Sequence, residues 1–173
     1  MNIIYHERGK VFHLFNESIS YIFMVLPHGG LGSLYYGKVL RDRTGFEHLF
    51  ERVHRGMTAC VFADCRDYSL DAIRQELPTY GSSDFRRPAL NVLQENGSRI
   101  LDMQYTGYRI TDGKPKLAGL PATYVESDDE AKTLIVEVKD AVTGLRAELL
   151  YTIFAEGGAI ARSVRYCNDG KEV

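Results

Sequence analysis

Five histidines, at 6, 13, 28, 48 and 54, and three cysteines, at 60, 65 and 167, are the first residues to test for chemistry. A zinc site draws its ligands from short, set spacings such as H-x-x-x-H, H-E-x-x-H or paired C-x-x-C. None of these occurs. His48 and His54 are separated by irregular sequence, and Cys60 and Cys65 flank Val-Phe-Ala-Asp, a spacing that gives little support for zinc. His13 falls in the middle of an apolar run and reads as a packed side chain. The acids Glu126, Asp128, Asp129 and Glu130 lack the alternating ligands and the glycine of a calcium loop, so they read as a solvated turn. No G-x-S-x-G is present, and Gly29-Gly30-Leu31-Gly32 follows a strand without leading into a phosphate-binding helix. Glycoside cleavage needs two carboxyl groups held about 5–10 Å apart across a sugar, and no acid is singled out by its sequence neighbours. The expectation is no catalytic residue, no metal and no cofactor within this chain.

One stretch stands apart. Residues 75–90 read Q-E-L-P-T-Y-G-S-S-D-F-R-R-P-A-L. Gly permits positive φ, whereas Pro fixes φ and removes a donor, so regular structure stops here. Yet Tyr80 and Phe85 lie among the breakers, and exposing each forfeits roughly 1.5–3 kcal/mol of burial. An ordered loop is therefore expected, with Tyr80, Asp84, Phe85 and Arg86 as the side chains that brace it.

The whole chain of 173 residues has the length of one domain, able to bury roughly 70% of its unfolded surface. Its 45% hydrophobic and 25% charged residues are ordinary for a globular protein, and a net charge of −2 leaves no footprint for nucleic acid or an anionic membrane. The odd cysteine count without a C-x-x-C pair points to a reducing, cytoplasmic setting. The N-terminus has no signal-peptide run, and the longest apolar stretch, 21–27, is far short of the roughly 20 residues that span a bilayer.

The elements that must position residues 75–90 are strands. Residues 10–15 and 19–26 form two, joined at Asn16-Glu17-Ser18, and the second is apolar on both faces, as in a strand covered on both sides. Residues 31–38 give a third. Between 39 and 67 periodicity fades, which marks either a functional connection or unrecognised structure. Residues 89–95 read as a strand ending in Asn96-Gly97, a pair suited to a type I′ hairpin, with a partner in 100–111. Residues 133–140 alternate, and 145–154 and 159–167 supply two further strands. About ten short, regularly spaced strands without a convincing helix predict an all-β sandwich. Asn168-Asp169-Gly170 reads as another hairpin turn, with residues 171–173 starting a returning strand. The expectation is a fragment, residues 1–173 forming one sandwich domain incomplete at its C-terminus, with the last strand at an edge.

Residues 75–89 also resemble the Q-E-x-P-x-Y-G-x-x-D-F-R-x-P-A signature of glycoside hydrolase family 36 α-galactosidases. Further pieces agree in order: L-Y-Y-G-K at 34–38, Y-S-L-D at 68–71, G-K-P-x-L-x-G-L-P-A-T-Y-V at 113–125, L-x-Y-T-I-F at 149–154 and I-A-R-S-V-R-Y-x-N-x-G at 160–170. The resemblance covers essentially the whole chain. It implies a supersandwich-like N-terminal domain of large, twisted antiparallel sheets, followed in the parent by a (β/α)8 barrel that carries both catalytic aspartates of a retaining mechanism. The fragment alone should then be inactive, and its partners would be its own barrel, other copies in a homo-oligomer and an α-galactoside of the melibiose or raffinose type. The resemblance further implies substrate contact in trans at His54, where related enzymes place an aspartate, and at Arg66. An autonomous carbohydrate-binding module is the alternative, and the absence of Trp weighs against it.

Overall fold

A computed structural model describes residues 1–52, 62, 67, 69–119 and 121–170. Two four-stranded antiparallel sheets make up the fold. Sheet 1 is a meander of β1 (Asn2–His6), β2 (Val11–Phe15), β3 (Ile19–Val25) and β4 (Leu31–Lys38). Sheet 2 is a second meander of β5 (Met103–Asp112), β6 (Ala131–Asp140), β7 (Leu145–Phe154) and β8 (Ile160–Asn168). Three short 3-10 turns are the only helical pieces among the described residues.

The core lies between the sheets because alternation places every second side chain inward. Ile19, Phe23 and Val25 of β3 meet Leu134 and Val136 of β6 and Leu149, Tyr151 and Ile153 of β7. Through its middle runs a column of stacked rings: Tyr5 to Phe12 at 4.5 Å, Phe12 to Phe23 at 4.9 Å and Phe23 to Tyr151 at 4.9 Å. Such offset contacts add about 0.5–1.5 kcal/mol per pair to the burial itself.

The expectation that β3 is covered on both sides holds. Its other face, Ile22 and Met24, joins Val11, Leu26 and Leu34 in a second core, closed by Phe46, Phe50, Leu70 and Ile73. Residues 39–52 and 69–74 are thus a cover over the outer face of sheet 1, which is why they show neither strand nor helix period. Their apolar side chains are spaced to reach a sheet rather than to line a helix.

Three strand readings need correction. Asn2–His6 is a strand, paired with β2 from Asn2↔Phe15 to His6↔Val11. Residues 89–95 are not: they lie outside both sheets, and Leu90 and Val92 pack on the main core from an irregular chain. Pro88 opens this stretch, and Gln94 spends its side-chain amide on the Ile100 carbonyl at 2.7 Å, so its polar groups are met locally without a ladder. The Asn96-Gly97 turn forms, but only Gly97 has positive φ, at 82°, so it is not type I′. The sheets hold eight strands among the described residues, against the ten or so expected. β8 is an edge strand, and residues 171–173 lie outside the described residues.

Candidate functional site

The stretch 75–90 begins as a short extension of sheet 1. Ser33 N–H donates to the Arg74 carbonyl at 2.8 Å and Glu76 N–H to the Leu31 carbonyl at 2.9 Å, with a bridge from Gln75 to Gly32. The chain then turns across one end of the sandwich, where Thr79 Oγ1 donates to the Leu101 carbonyl at 2.9 Å and Ala89 N–H to the Pro78 carbonyl at 2.9 Å.

The tip is a tight turn closed by reciprocal 2.9 Å hydrogen bonds between Gly81 and Asp84. Its central residues, Ser82 at φ 50° and Ser83 at φ 70°, are both left-handed. This is the backbone of a type I′ turn made without Asn or Gly, and each such residue costs on the order of 1 kcal/mol. Strain of this kind persists only where the surroundings over-determine it.

Asp84 provides that determination. It is buried, accepts from Arg86 Nε at 2.8 Å and Nη2 at 2.7 Å in a bidentate pair, and accepts from Gln75 Nε2 at 2.7 Å. Arg86 Nη2 also donates to the Leu70 carbonyl at 3.1 Å, which ties the loop to the cover of sheet 1. The bonds from Arg86 hold the Asp84 carboxyl below the usual carboxylate range, overriding the opposite effect of burial. Tyr80 and Phe85 meet edge to face at 5.3 Å. Structure therefore brings Tyr80, Asp84, Phe85 and Arg86 together at one loop. His54 and Arg66 lie outside the described residues.

A second anchor was not legible beforehand. Glu76 is buried between the sheets and accepts from Tyr21 Oη of β3 at 2.8 Å and from Tyr151 Oη of β7 at 2.9 Å. Arg162 of β8 lies 3.5 Å from the same carboxylate, donates to the Glu76 main-chain carbonyl and stacks 5.1 Å over the Tyr151 ring. Burial, with the Glu76 carboxylate beside them, pushes both phenols above the ordinary tyrosine range. The available signal was that inward-facing tyrosines bring a hydroxyl into a core that must satisfy it.

The outer surface has the opposite character. Phe85 is 64% exposed, Leu93 68% and Ile100 55%. Arg86, Arg87 and Arg99 are exposed beside them in sequence. Glycine is required at Gly81, where φ is 121° and a Cβ would approach Ile100 Cγ2 to 2.8 Å.

Nothing in this region is poised for covalent chemistry. Both buried acids have their oxygens committed, and no cluster of three or more His, Cys, Asp or Glu side chains among the described residues could hold a metal. Elsewhere Ser20, His13 and Asp42 align as in a hydrolytic triad, at 2.9 and 2.7 Å. Ser20 and His13 are fully buried, and Ser20 Oγ already accepts from Leu40 N–H at 2.9 Å, so no substrate carbonyl can reach it.

The match to known families identifies the sandwich as the N-terminal domain of a glycoside hydrolase family. Residues 29–173 match the family model described as the glycosyl hydrolase family 36 N-terminal domain. The chain belongs to that family. It is 42% identical over 172 residues to α-galactosidase AgaA of Geobacillus stearothermophilus, covering 99% of this chain and 24% of AgaA. It is 38% identical over 171 residues to α-galactosidase Mel36A of Lactobacillus acidophilus, covering 98% of this chain and 23% of Mel36A. The crystal structure of α-galactosidase AgaB of G. stearothermophilus superposes with a TM-score of 0.90 at 40% identity, over 99% of this chain and 23% of AgaB. The chain thus spans about a quarter of the length of the curated relatives it matches. The all-β sandwich expected from the strand pattern is the observed fold.

Proposed function

We propose that this chain is the non-catalytic N-terminal domain of a retaining α-galactosidase that removes terminal α-linked galactose from melibiose- and raffinose-type sugars. Its job is to present a rigid, pre-formed loop to the catalytic barrel and to help shape the active-site entrance and the oligomer. The observation that carries this reading is the division within residues 75–100. Glu76 and Asp84 fix the loop from inside while Phe85, Leu93 and Ile100 are turned outward. A lone exposed aromatic needs no explanation, but three large apolar side chains on one ordered connection, beside arginines, fit a surface that another domain covers.

Support for the substrate class comes from the relatives: a variant of AgaA, 43% identical to this chain with a TM-score of 0.86, was solved in complex with raffinose. Residues 1–173 are read as one domain of a cytoplasmic enzyme, with His54 and Arg66 contacting sugar across a subunit boundary. The test is direct. The isolated chain is offered p-nitrophenyl α-galactoside and, separately, titrated calorimetrically with galactose and raffinose. The expected result is no hydrolysis above background and no saturable binding at low millimolar sugar. Turnover would overturn the non-catalytic assignment, and saturable binding would favour an autonomous carbohydrate-binding module.

A further inference from the structure

The cover of sheet 1 is fastened at its polar end by one carboxylate. Asp42 Oδ1 lies 3.0 Å from His6 Nε2 of β1 and 2.7 Å from His13 Nδ1 of β2. The far nitrogen of His13, Nε2, is 2.9 Å from Ser20 Oγ of β3, and Ser20 Oγ accepts from Leu40 N–H at 2.9 Å. Phe46 closes the group, its ring 5.0 Å from that of His13 and 6.1 Å from that of His6. Four elements, β1, β2, β3 and the cover, therefore meet at the Asp42–His13 pair.

The proton count follows from the partners. A carboxylate only accepts, so His13 Nδ1 carries a proton and donates to Asp42. Leu40 N–H donates to Ser20, whose own hydroxyl donates to Nε2 of a neutral ring. Both ring nitrogens of His13 and the hydroxyl of Ser20 are then paired, inside a site where His13 and Ser20 are fully buried.

We propose that the Ser20–His13–Asp42 line is an acid-sensitive latch, which holds residues 39–52 on the outer face of sheet 1 while His13 is neutral and lets them open when His13 takes up a second proton. A proton on Nε2 turns an acceptor into a donor aimed at Ser20. The hydroxyl proton of Ser20 then loses its partner, and Ser20 must accept from His13 and Leu40 together. It also places a cation in a fully buried ring. The charged and titratable groups that face His13 are Asp42 from the cover and His6 from β1, with the uncharged Ser20 from β3 and Phe46 from the cover. Arg43 lies 5.8 Å over the Phe46 ring. Asp42 favours the extra proton and His6 opposes it, while burial opposes it most and holds His13 below its ordinary 6.5.

The direction is therefore set. A depressed histidine is neutral in the closed form and charges more readily once the cover lifts and water reaches it. The closed form loses stability as pH falls from about 6.5 towards the folded value, by at most about tenfold in the opening equilibrium per pH unit. Asp42 is also held below its usual range, because the bonds from His13 and His6 override burial, so it titrates below 3.8 and outside the window above pH 5.

Hydrogen–deuterium exchange of the full chain at pH 7, 6 and 5, corrected for intrinsic rates, reads the latch. Amides of residues 40–50 should lose protection by several-fold between pH 6.5 and 5, while those of β6 and β7 keep theirs. His13→Gln, neutral at every pH, should remove the pH dependence of residues 40–50. Because that change alters a buried site and can unfold the chain, histidine ring NMR of the unaltered chain gives a second readout. His13 should titrate over the same interval in which residues 40–50 open. Protection independent of pH from 7 to 5 overturns the proposal, as does opening while the His13 ring stays neutral.

Discussion

Two long irregular connections lie side by side in this molecule, and they are built in opposite senses. The described parts of the first, residues 39–52 and 69–74, turn large apolar side chains inward: Phe46, Phe50, Leu70 and Ile73 are all buried against the outer face of sheet 1. Residues 75–102 do the reverse in part, anchoring themselves through the buried carboxylates of Glu76 and Asp84 while Phe85, Leu93 and Ile100 face out. A connection that buries its apolar groups completes a core. One that is fixed by buried polar bonds and shows apolar groups to the outside fits the proposal that a second surface covers it.

Removing the inner anchor should be among the costliest changes. Glu76→Ala leaves the buried Tyr151 hydroxyl without its acceptor, takes the acceptor from the half-buried Tyr21 hydroxyl and removes the charge beside Arg162, which keeps the main-chain carbonyl; we expect a loss of about 3–5 kcal/mol by chemical denaturation. Phe46→Ala tests the other connection: it opens a cavity in the second core and should cost about 3–5 kcal/mol, with protection lost across residues 39–52 rather than at residues 75–90. Asp84→Ala should cost less, about 2–3 kcal/mol, because Arg86 can turn to water although Gln75 and the strained turn lose their partner. The same carboxylate gives a pH signature. Its value is depressed on folding, so its contribution is intact above 3.8 and is lost as pH falls through the lower folded value. A fluorescence-detected melt from pH 6 to pH 2 should show the difference between the native chain and Asp84→Ala shrinking at the acid end. Ser83→Gly relieves a left-handed serine and should stabilise by about 0.5–1 kcal/mol, readable as a rise in Tm.

The two connections also differ in how far they could be read from residues. Alternation of apolar and polar residues revealed β6, and the apolar content of both faces of β3 correctly implied cover on each side. Sequence could not say what supplied that cover, since Phe46 and Leu70 reach the sheet from 3-10 turns that have no long-range period. The strand expected at 89–95 failed because local apolar content does not tell a ladder from a chain whose polar groups are met by Gln94 and neighbouring turns. The type I′ turn was expected at Asn96-Gly97 from their positive-φ tolerance, yet it forms at Ser82-Ser83, where tertiary bonds to Asp84 outweigh local preference. The Asp84–Arg86 pair was legible because the partners are two residues apart. Glu76 was not, because its partners come from β3, β7 and β8.

If residues 75–100 carry a docking face, Phe85, Leu93 and Ile100 matter far more where that face is covered than in the isolated chain. The measurement is the shift in Tm that Phe85→Ser causes in the 173-residue chain alone and within the longer α-galactosidase proposed to contain it. In the isolated chain Phe85 gives up only its edge contact with Tyr80, so a small shift is expected there, about 0.5–1.5 kcal/mol of stability, and a distinctly larger fall in the longer enzyme. An equal shift in both, or none in either, would contradict the docking face.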